Sequence, residues 1–491
     1  MSVFRHAVAS GDPLSDGVVI WTRVSDAAPS PTRVRWRMAR DPELLDVVAD
    51  GETTADPERD MCVHVDVGGL DPSTTYHYGF EALGQRSPVA RTRTLPGGDA
   101  DHLRIAMVSC AKYNAGFFNA YTRIAERELD FVLHLGDYIY EAAQNPPASQ
   151  TPPADIGRVV DPIHECVTLE DYRKRYAHYR LDPDVQALHL AHPLIAALDC
   201  HELADDAWRG GSVEHREERD GPWADRVAAA FQARWEWMPY RKPDPADPSR
   251  TWRTVPIGDL ADLFIMDTRS RRDMPAQGEA MWEQGRSQLG PEQRTWLLEG
   301  LASSTATWRV LGNSSVMGQI WDERLTSETI PALLRLKMIE PNGRGPDPDQ
   351  WDGYPHERDA ILHALKGRDA VVLSGDVHIG LALELKLDPR FEEEPVAGEF
   401  VTTSLTSQNV DDKMGWAPRT KSIPFEKGLV AEVPHVKWCD FDSHGYVVVD
   451  VRPERVRGEW WFVETVLEPA QGESLGAAWE VHAGSSRLVA G

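Results

Sequence analysis

Phe131-Val132-Leu133-His134-Leu135-Gly136-Asp137-Tyr138-Ile139-Tyr140-Glu141 runs from a short apolar stretch into a glycine-led acidic turn. A continuous apolar run of this length reads as a strand buried on both faces in an α/β protein, where ligands gather beyond the carboxyl ends of the strands. The pattern recurs along the chain. Ala370-Val371-Val372-Leu373-Ser374 leads into Gly375-Asp376-Val377-His378, the run 103–108 delivers Ser109 and Cys110, and the run 194–198 delivers Asp199-Cys200-His201-Glu202. Four strand ends offering carboxylate, thiol, phenol and imidazole point to a metal centre on one rim.

Working outward, the chain has 491 residues, 41% of them hydrophobic, which is enough for more than one domain and too rich in core residues for disorder. A formal charge of -26 repels nucleic acid and anionic membrane surfaces, so no nucleic acid polymer is expected as a partner. Five cysteines, an odd and sparse number, are expected as reduced thiols rather than a disulfide framework. No stretch approaches the ~18 apolar residues of a membrane span. The chain opens without a basic segment followed by an apolar one, so the expectation is cytoplasmic as it stands, or exported if a signal peptide has been removed.

Residues 1–97 carry short alternating segments such as 18–22, 34–38, 76–80 and 90–94, separated by Asp/Pro/Gly/Ser turns, and read as a small β-sandwich. Leu95-Pro96-Gly97-Gly98-Asp99 reads as the linker. From residue 98 to 491 strands alternate with helices, among them 116–127, 168–177, 184–191 and 224–238. The polar, Pro-rich stretch 144–153 is either a rim insertion or a solvated loop. No fixed-period repeat or heptad run is present.

Metal-assisted hydrolysis of a phosphate ester needs a bridging carboxylate, further ligands and an acidified water. Asp137, on its Gly-preceded turn, suits the bridge. Tyr140, three residues on, can return its phenol to the same centre or simply lie buried beneath the loop. Asp376 and His378 share one face of an extended segment and can reach neighbouring ions. Cys110 is either a small buried hydrophobe or, beside a metal, a thiolate ligand. His201 can protonate a leaving group with Glu202 orienting it, unless 202–208 is only a capped helix start. Asn313, after another apolar strand, either supplies an amide oxygen to a second metal or caps a turn. Arg269 and Arg272 either clamp phosphate or form structural ion pairs. The chain has neither a Gly-x-Ser-x-Gly elbow nor a Gly-x-x-x-x-Gly-Lys loop.

Taken together, Phe4 to Pro13, Trp21-Thr22-Arg23, Ser109-Cys110, Gly136 to Glu141, Asp199 to Glu202, Asp267-Thr268-Arg269 with Arg272, Gly375 to His378 and His444-Gly445-Tyr446 resemble the PhoD-like alkaline phosphatases and phosphodiesterases of the metallophosphoesterase superfamily. The resemblance spans nearly the whole chain in order. It implies an α/β fold, a two-sheet metallophosphoesterase β-sandwich flanked by helices, preceded by a small all-β immunoglobulin/fibronectin-like sandwich domain. It also implies Fe3+ bound by Cys110, Asp137, Tyr140 and His378, and Ca2+ bound by Asp137, the residue at position 200 and Asp376. The family pattern has Asp or Asn at position 200; this chain has Cys200, with Asp199 as a partial substitute. A thiol there weakens a calcium site and favours a softer ion such as Zn2+.

The expected activity is hydrolysis of a small-molecule phosphate ester, as phosphomonoesterase or phosphodiesterase, by in-line attack of a metal-bound hydroxide with His201 near the leaving group. A phospholipase D-like activity and a binding protein with a degraded site are the rival readings. Asp137, Tyr140, Asp376, His378 and His201 together favour catalysis.

Overall fold

Residues 2–25, 30–145, 152–241, 245–319, 347–389 and 394–491 are described by a computed structural model. Alternation along the apolar runs builds two sheets around one shared core. In the strand Leu103–Val108, the side chains of Leu103, Ile105 and Met107 enter the core between the sheets, while Ala106 and Val108 face a second core under helices. Phe131 and Leu133 likewise point inward and Val132 outward, as period-two geometry requires. The facing sheet contributes Leu263, Ile265, Val310, Val371, Leu373 and Phe400 to the shared core, and turns Phe264, Leu311 and Val372 to its own helical side.

The first sheet has ten strands among the described residues. Its order is Leu488–Ala490, Glu473–His482, Arg455–Val463, Gly445–Arg452, Leu103–Val108, Phe131–His134, Leu194–Ala196, Val8–Gly11, Gly17–Arg23 and Cys62–Gly68. The second runs Arg253–Ile257, Ala261–Ile265, Trp308–Gly312, Ala370–Ser374, Ala397–Val401, Gly380–Leu385 and Val436–Asp440. Helices Leu169–Arg180, Pro183–Ala191 and Trp223–Trp237 pack on the outside of the first sheet, and Gly290–Ser303 and Pro355–Leu365 outside the second. The expected α/β architecture with an all-β N-terminal part is what the chain forms.

The boundary strands differ from the sequence reading in one respect. The N-terminal strands are all-β, with a further sheet of Val47–Ala55, Thr32–Ala39, Thr75–Ala82 and Gln85–Arg86, joined by Ala90–Arg93. The strands Val8–Gly11, Gly17–Arg23 and Cys62–Gly68, however, belong to the ten-stranded sheet, because Gly11 pairs in parallel with Leu194. Only glycine permits that approach: a Cβ at position 11 would lie 2.5 Å from Pro239 O and 2.6 Å from Leu194 O. The expected linker is stitched down, with Leu95 buried and bonded to Leu14 and Ser73. Of the stretch 144–153, residues 146–151 lie outside the described residues. Among the described residues no helix is long and apolar enough to cross a membrane.

Candidate metal centre

The parallel strands of both sheets end on one rim, and each delivers a polar loop there. Leu103–Val108, Phe131–His134 and Leu194–Ala196 run parallel in the first sheet, and Ala261–Ile265, Trp308–Gly312, Ala370–Ser374 and Ala397–Val401 in the second. The turns beyond them are tight. Cys110, Asp137, Asp376 and His378 have φ of 60°, 56°, 70° and 61°, left-handed conformations that non-glycine residues seldom adopt. Gly136 has φ 100°, and a Cβ on it would sit 2.3 Å from the Asp199 Cβ, so the Asp137 and Asp199 loops touch through that glycine.

Donor atoms of Cys110, Asp137 and His378 lie within 4.8 Å of one another. The Tyr140 hydroxyl stands 3.4 Å from His378 Nε2 and accepts a hydrogen bond from Ser407 Oγ at 2.6 Å. His378 Nδ1 donates to the Gln408 carbonyl at 2.9 Å, which fixes the tautomer and turns the Nε2 lone pair to the cluster. Burial, reinforced by the Asp137 and Asp376 carboxylates, pushes the Cys110 thiol well up, so it ionises here only beside a cation. A buried set of thiol, carboxylate, phenol and imidazole is a candidate metal-ligand group.

His201 lies against the Tyr140 ring, with centroids 3.9 Å apart, and its backbone amide donates to Asp137 Oδ1 at 3.0 Å. Its Nδ1 meets Glu141 Oε2 at 2.7 Å, while Nε2 is 3.6 Å from Asp205 Oδ1. Burial alone would lower the imidazole, but Glu141 and Asp137 outweigh it and hold the group protonated well above its usual range. Glu141 itself, despite burial, is held down at about 2 by His201. The orienting carboxylate is therefore Glu141. Glu202, given that role from sequence, instead accepts from the backbone amides of Asp137, Tyr138 and Asp199 at 3.0, 2.6 and 2.9 Å, tying the two loops together. For the same reason 202–208 makes no helix: the chain forms a single turn, Cys200–Glu202, with the Glu202 side chain folded back over its own cap.

Asp199, Cys200 and Asp376 form a neighbouring group, as do Asp137, Cys200 and His201, each within 4.8 Å. Cys200 Sγ is 4.0 Å from Asp137 Oδ1. Arg269 is not poised as a phosphate clamp. It is 0% exposed, with Nε 2.5 Å from Asp199 Oδ1, Nη1 2.5 Å from Asp349 Oδ2 and Nη2 2.8 Å from Asp376 Oδ2. Arg272 likewise pairs with Asp349, at 2.6 Å, and donates to the Ala207 carbonyl. Asn313 lies in the wall with its polar atoms committed: its amide oxygen accepts from Trp351 Nε1 at 3.0 Å, and its nitrogen donates to Ser315 O and Ser374 Oγ. A metal at this position has only the second lone pair of Asn313 to use.

The sequence profile of PhoD-like phosphatases matches residues 105–460, and that of the PhoD-like phosphatase N-terminal domain matches residues 1–96. The chain belongs to the PhoD-like phosphatases. It is 34% identical over 507 aligned residues to alkaline phosphatase D of Bacillus subtilis (strain 168), covering 97% of this chain and 80% of the relative. A solved structure titled "Structure of PhoD" superposes with TM-score 0.88 at 31% identity, covering 100% of this chain and 92% of that one. As a PhoD-like phosphatase the protein is a phosphoric ester hydrolase, and its clustered donor groups suit the metal dependence of that family.

Within this PhoD-like site the sequence reading passed over Lys112. Its ammonium stands 5.6 Å from the Tyr140 ring centroid, a cation on the face of a candidate ligand. A lysine two residues beyond Cys110 in a strand-end loop was the available signal.

Proposed function

We propose that the protein hydrolyses small-molecule phosphate mono- or diesters at the cluster of Cys110, Asp137, Tyr140 and His378, holding ferric iron, with a second cation beside Asp137. The observation that carries this reading is the His378 tautomer, fixed through Gln408 so that Nε2 faces Tyr140, Cys110 and Asp137. Bound iron would supply Lewis acidity and render a coordinated water acidic enough to attack phosphorus.

The chain's own residues do the rest. Asp137 would help hold both cations, and its Oδ1 is steadied by the His201 amide. His201, kept protonated by Glu141 at Nδ1, presents Nε2–H for the leaving oxygen, so the departing alkoxide takes its proton from a positioned acid. Lys112 takes the role that sequence gave Arg269, meeting a non-reacting phosphate oxygen from above Tyr140. Arg269 holds Asp199 and Asp376 in place instead. We place the domain boundary at residues 97–98, between the last sandwich strand and the first central one.

Purified protein loaded with iron should carry a visible tyrosinate charge-transfer band and hydrolyse p-nitrophenyl phosphate or its bis ester. Iron without that band, or no turnover of either ester by protein carrying the band, overturns the reading.

A further inference from the structure

The calcium that the family resemblance implies meets a poor donor set in this chain. Ca2+ takes about 6–8 oxygen ligands. Here Asp199 Oδ1 is held by Arg269 Nε and the Cys200 amide, and Asp376 Oδ2 by Arg269 Nη2 and Gln350 Nε2. Asn313 has its oxygen on Trp351. What remains is one oxygen each from Asp199 and Asp376, a shared oxygen of Asp137, and the Cys200 sulfur.

A second observation points inward. Asp199 is 0% exposed, and its Oδ2 has no hydrogen-bond partner among the described residues. An orphaned buried carboxylate oxygen is costly unless something outside the chain meets it. Donor atoms of Asp199, Cys200 and Asp376 lie within 4.8 Å of one another, and Asp137 Oδ1 is 4.0 Å from the Cys200 sulfur. Arg269 meanwhile engages one oxygen each of Asp199 and Asp376, which lowers the number of oxygens a hard cation can gather. Three oxygens and a thiolate are the number and softness of donors that a four-coordinate zinc ion takes.

We propose that the second position is a thiolate site of Asp199, Cys200, Asp376 and the shared Asp137, selecting a thiophilic divalent cation such as Zn2+ over Ca2+. This rests on the reading that the first position is the iron site, and the test separates the two.

Iron-loaded enzyme is titrated with Co2+, Zn2+ and Ca2+, with the tyrosinate band reporting the first position throughout. Co2+ is expected to add a near-ultraviolet thiolate charge-transfer band at one equivalent, which Zn2+ removes and excess Ca2+ leaves. In Cys200→Asp the cobalt band is lost while the tyrosinate band stays, and the ratio of zinc to calcium affinity falls by more than about 100-fold, beyond the cost of losing an outer-sphere partner. Cys200→Ser provides a near-isosteric second variant, expected to lose the cobalt band in the same way. The proposal is overturned if wild-type protein with its tyrosinate band gains no thiolate–cobalt band, if Ca2+ displaces Zn2+, or if the cobalt band survives in the folded Cys200 variants. Absence of the tyrosinate band with a normal cobalt band sinks the iron reading alone.

Discussion

Tyr140 touches both halves of the candidate chemistry, since its hydroxyl neighbours His378 and its ring carries His201 on one side and Lys112 near its face. Tyr140→Phe keeps the packing and removes the oxygen, so the visible band should vanish while the fold persists; a retained band would exclude the phenolate as ligand. For His201→Gln, loss of the leaving-group acid is expected to lower kcat by about 100-fold or more. Its signature is selectivity: nitrophenyl esters, whose leaving groups need little protonation, should suffer far less than alkyl phosphates. Lys112→Ala should raise KM severalfold with a smaller change in kcat, and steady-state kinetics that showed the reverse would remove Lys112 from substrate binding.

Between the loops, Gly136 is the narrowest point of the site. Gly136→Ala would drive a methyl group into Asp199 and strain a backbone already at φ 100°. We expect it to cost about 2–3 kcal/mol or more in urea unfolding and to lose metal before it unfolds. Such elements were largely legible beforehand. Phe131–His134 and Ala370–Ser374 form as continuous apolar runs predict, and the helix expected over 224–238 forms as Trp223–Trp237. The exceptions share one cause. Arg269 meets Asp349, which lies 80 positions away, and His201 meets Glu141 across 60, so neither partner is visible to local spacing. Nor does local spacing reveal that Glu202 is needed by three backbone amides of two loops, which overrides its helical propensity. The candidate first-position ligands were readable because they follow closely on three apolar strands, Asp137 and Tyr140 sharing one; the tasks of the charged residues around them depend on which loops the sheets bring together.

Across the whole molecule, several histidines are buried as neutral rings. His6, His134 and His192 are lowered to about 3, about 3 and about 4, in each case chiefly by burial. In the unfolded chain they accept protons as pH falls through about 6.5, whereas in the fold they stay neutral until about 3–4. The stability they contribute is thus complete above pH 6.5 and is lost as pH drops toward 4, by up to about 1.4 kcal/mol per histidine per pH unit. Over the same window the buried acids Glu202 and Glu399, both raised to about 7 chiefly by burial, gain stability, so the rings are read by difference: urea midpoints of the wild type should fall more, or rise less, between pH 7.5 and 5 than those of His134→Gln, and equal slopes would mean that ring titrates freely.

The shared sheet also fixes an order of events during synthesis. Gly11 finds its parallel partner only when Leu194 has been made, and Met107, in the strand that delivers Cys110, is flanked by Val447 near the far end of the chain. At ribosomal speeds of about 5–20 residues per second, that last neighbour arrives on the order of 20–70 s after the strand itself. A nascent chain therefore carries a bare edge on its central sheet for most of its time on the ribosome, and a message truncated before residue 445 yields a product with that edge exposed. Quality control, rather than loss of catalysis, is the first fate to expect for C-terminally shortened forms.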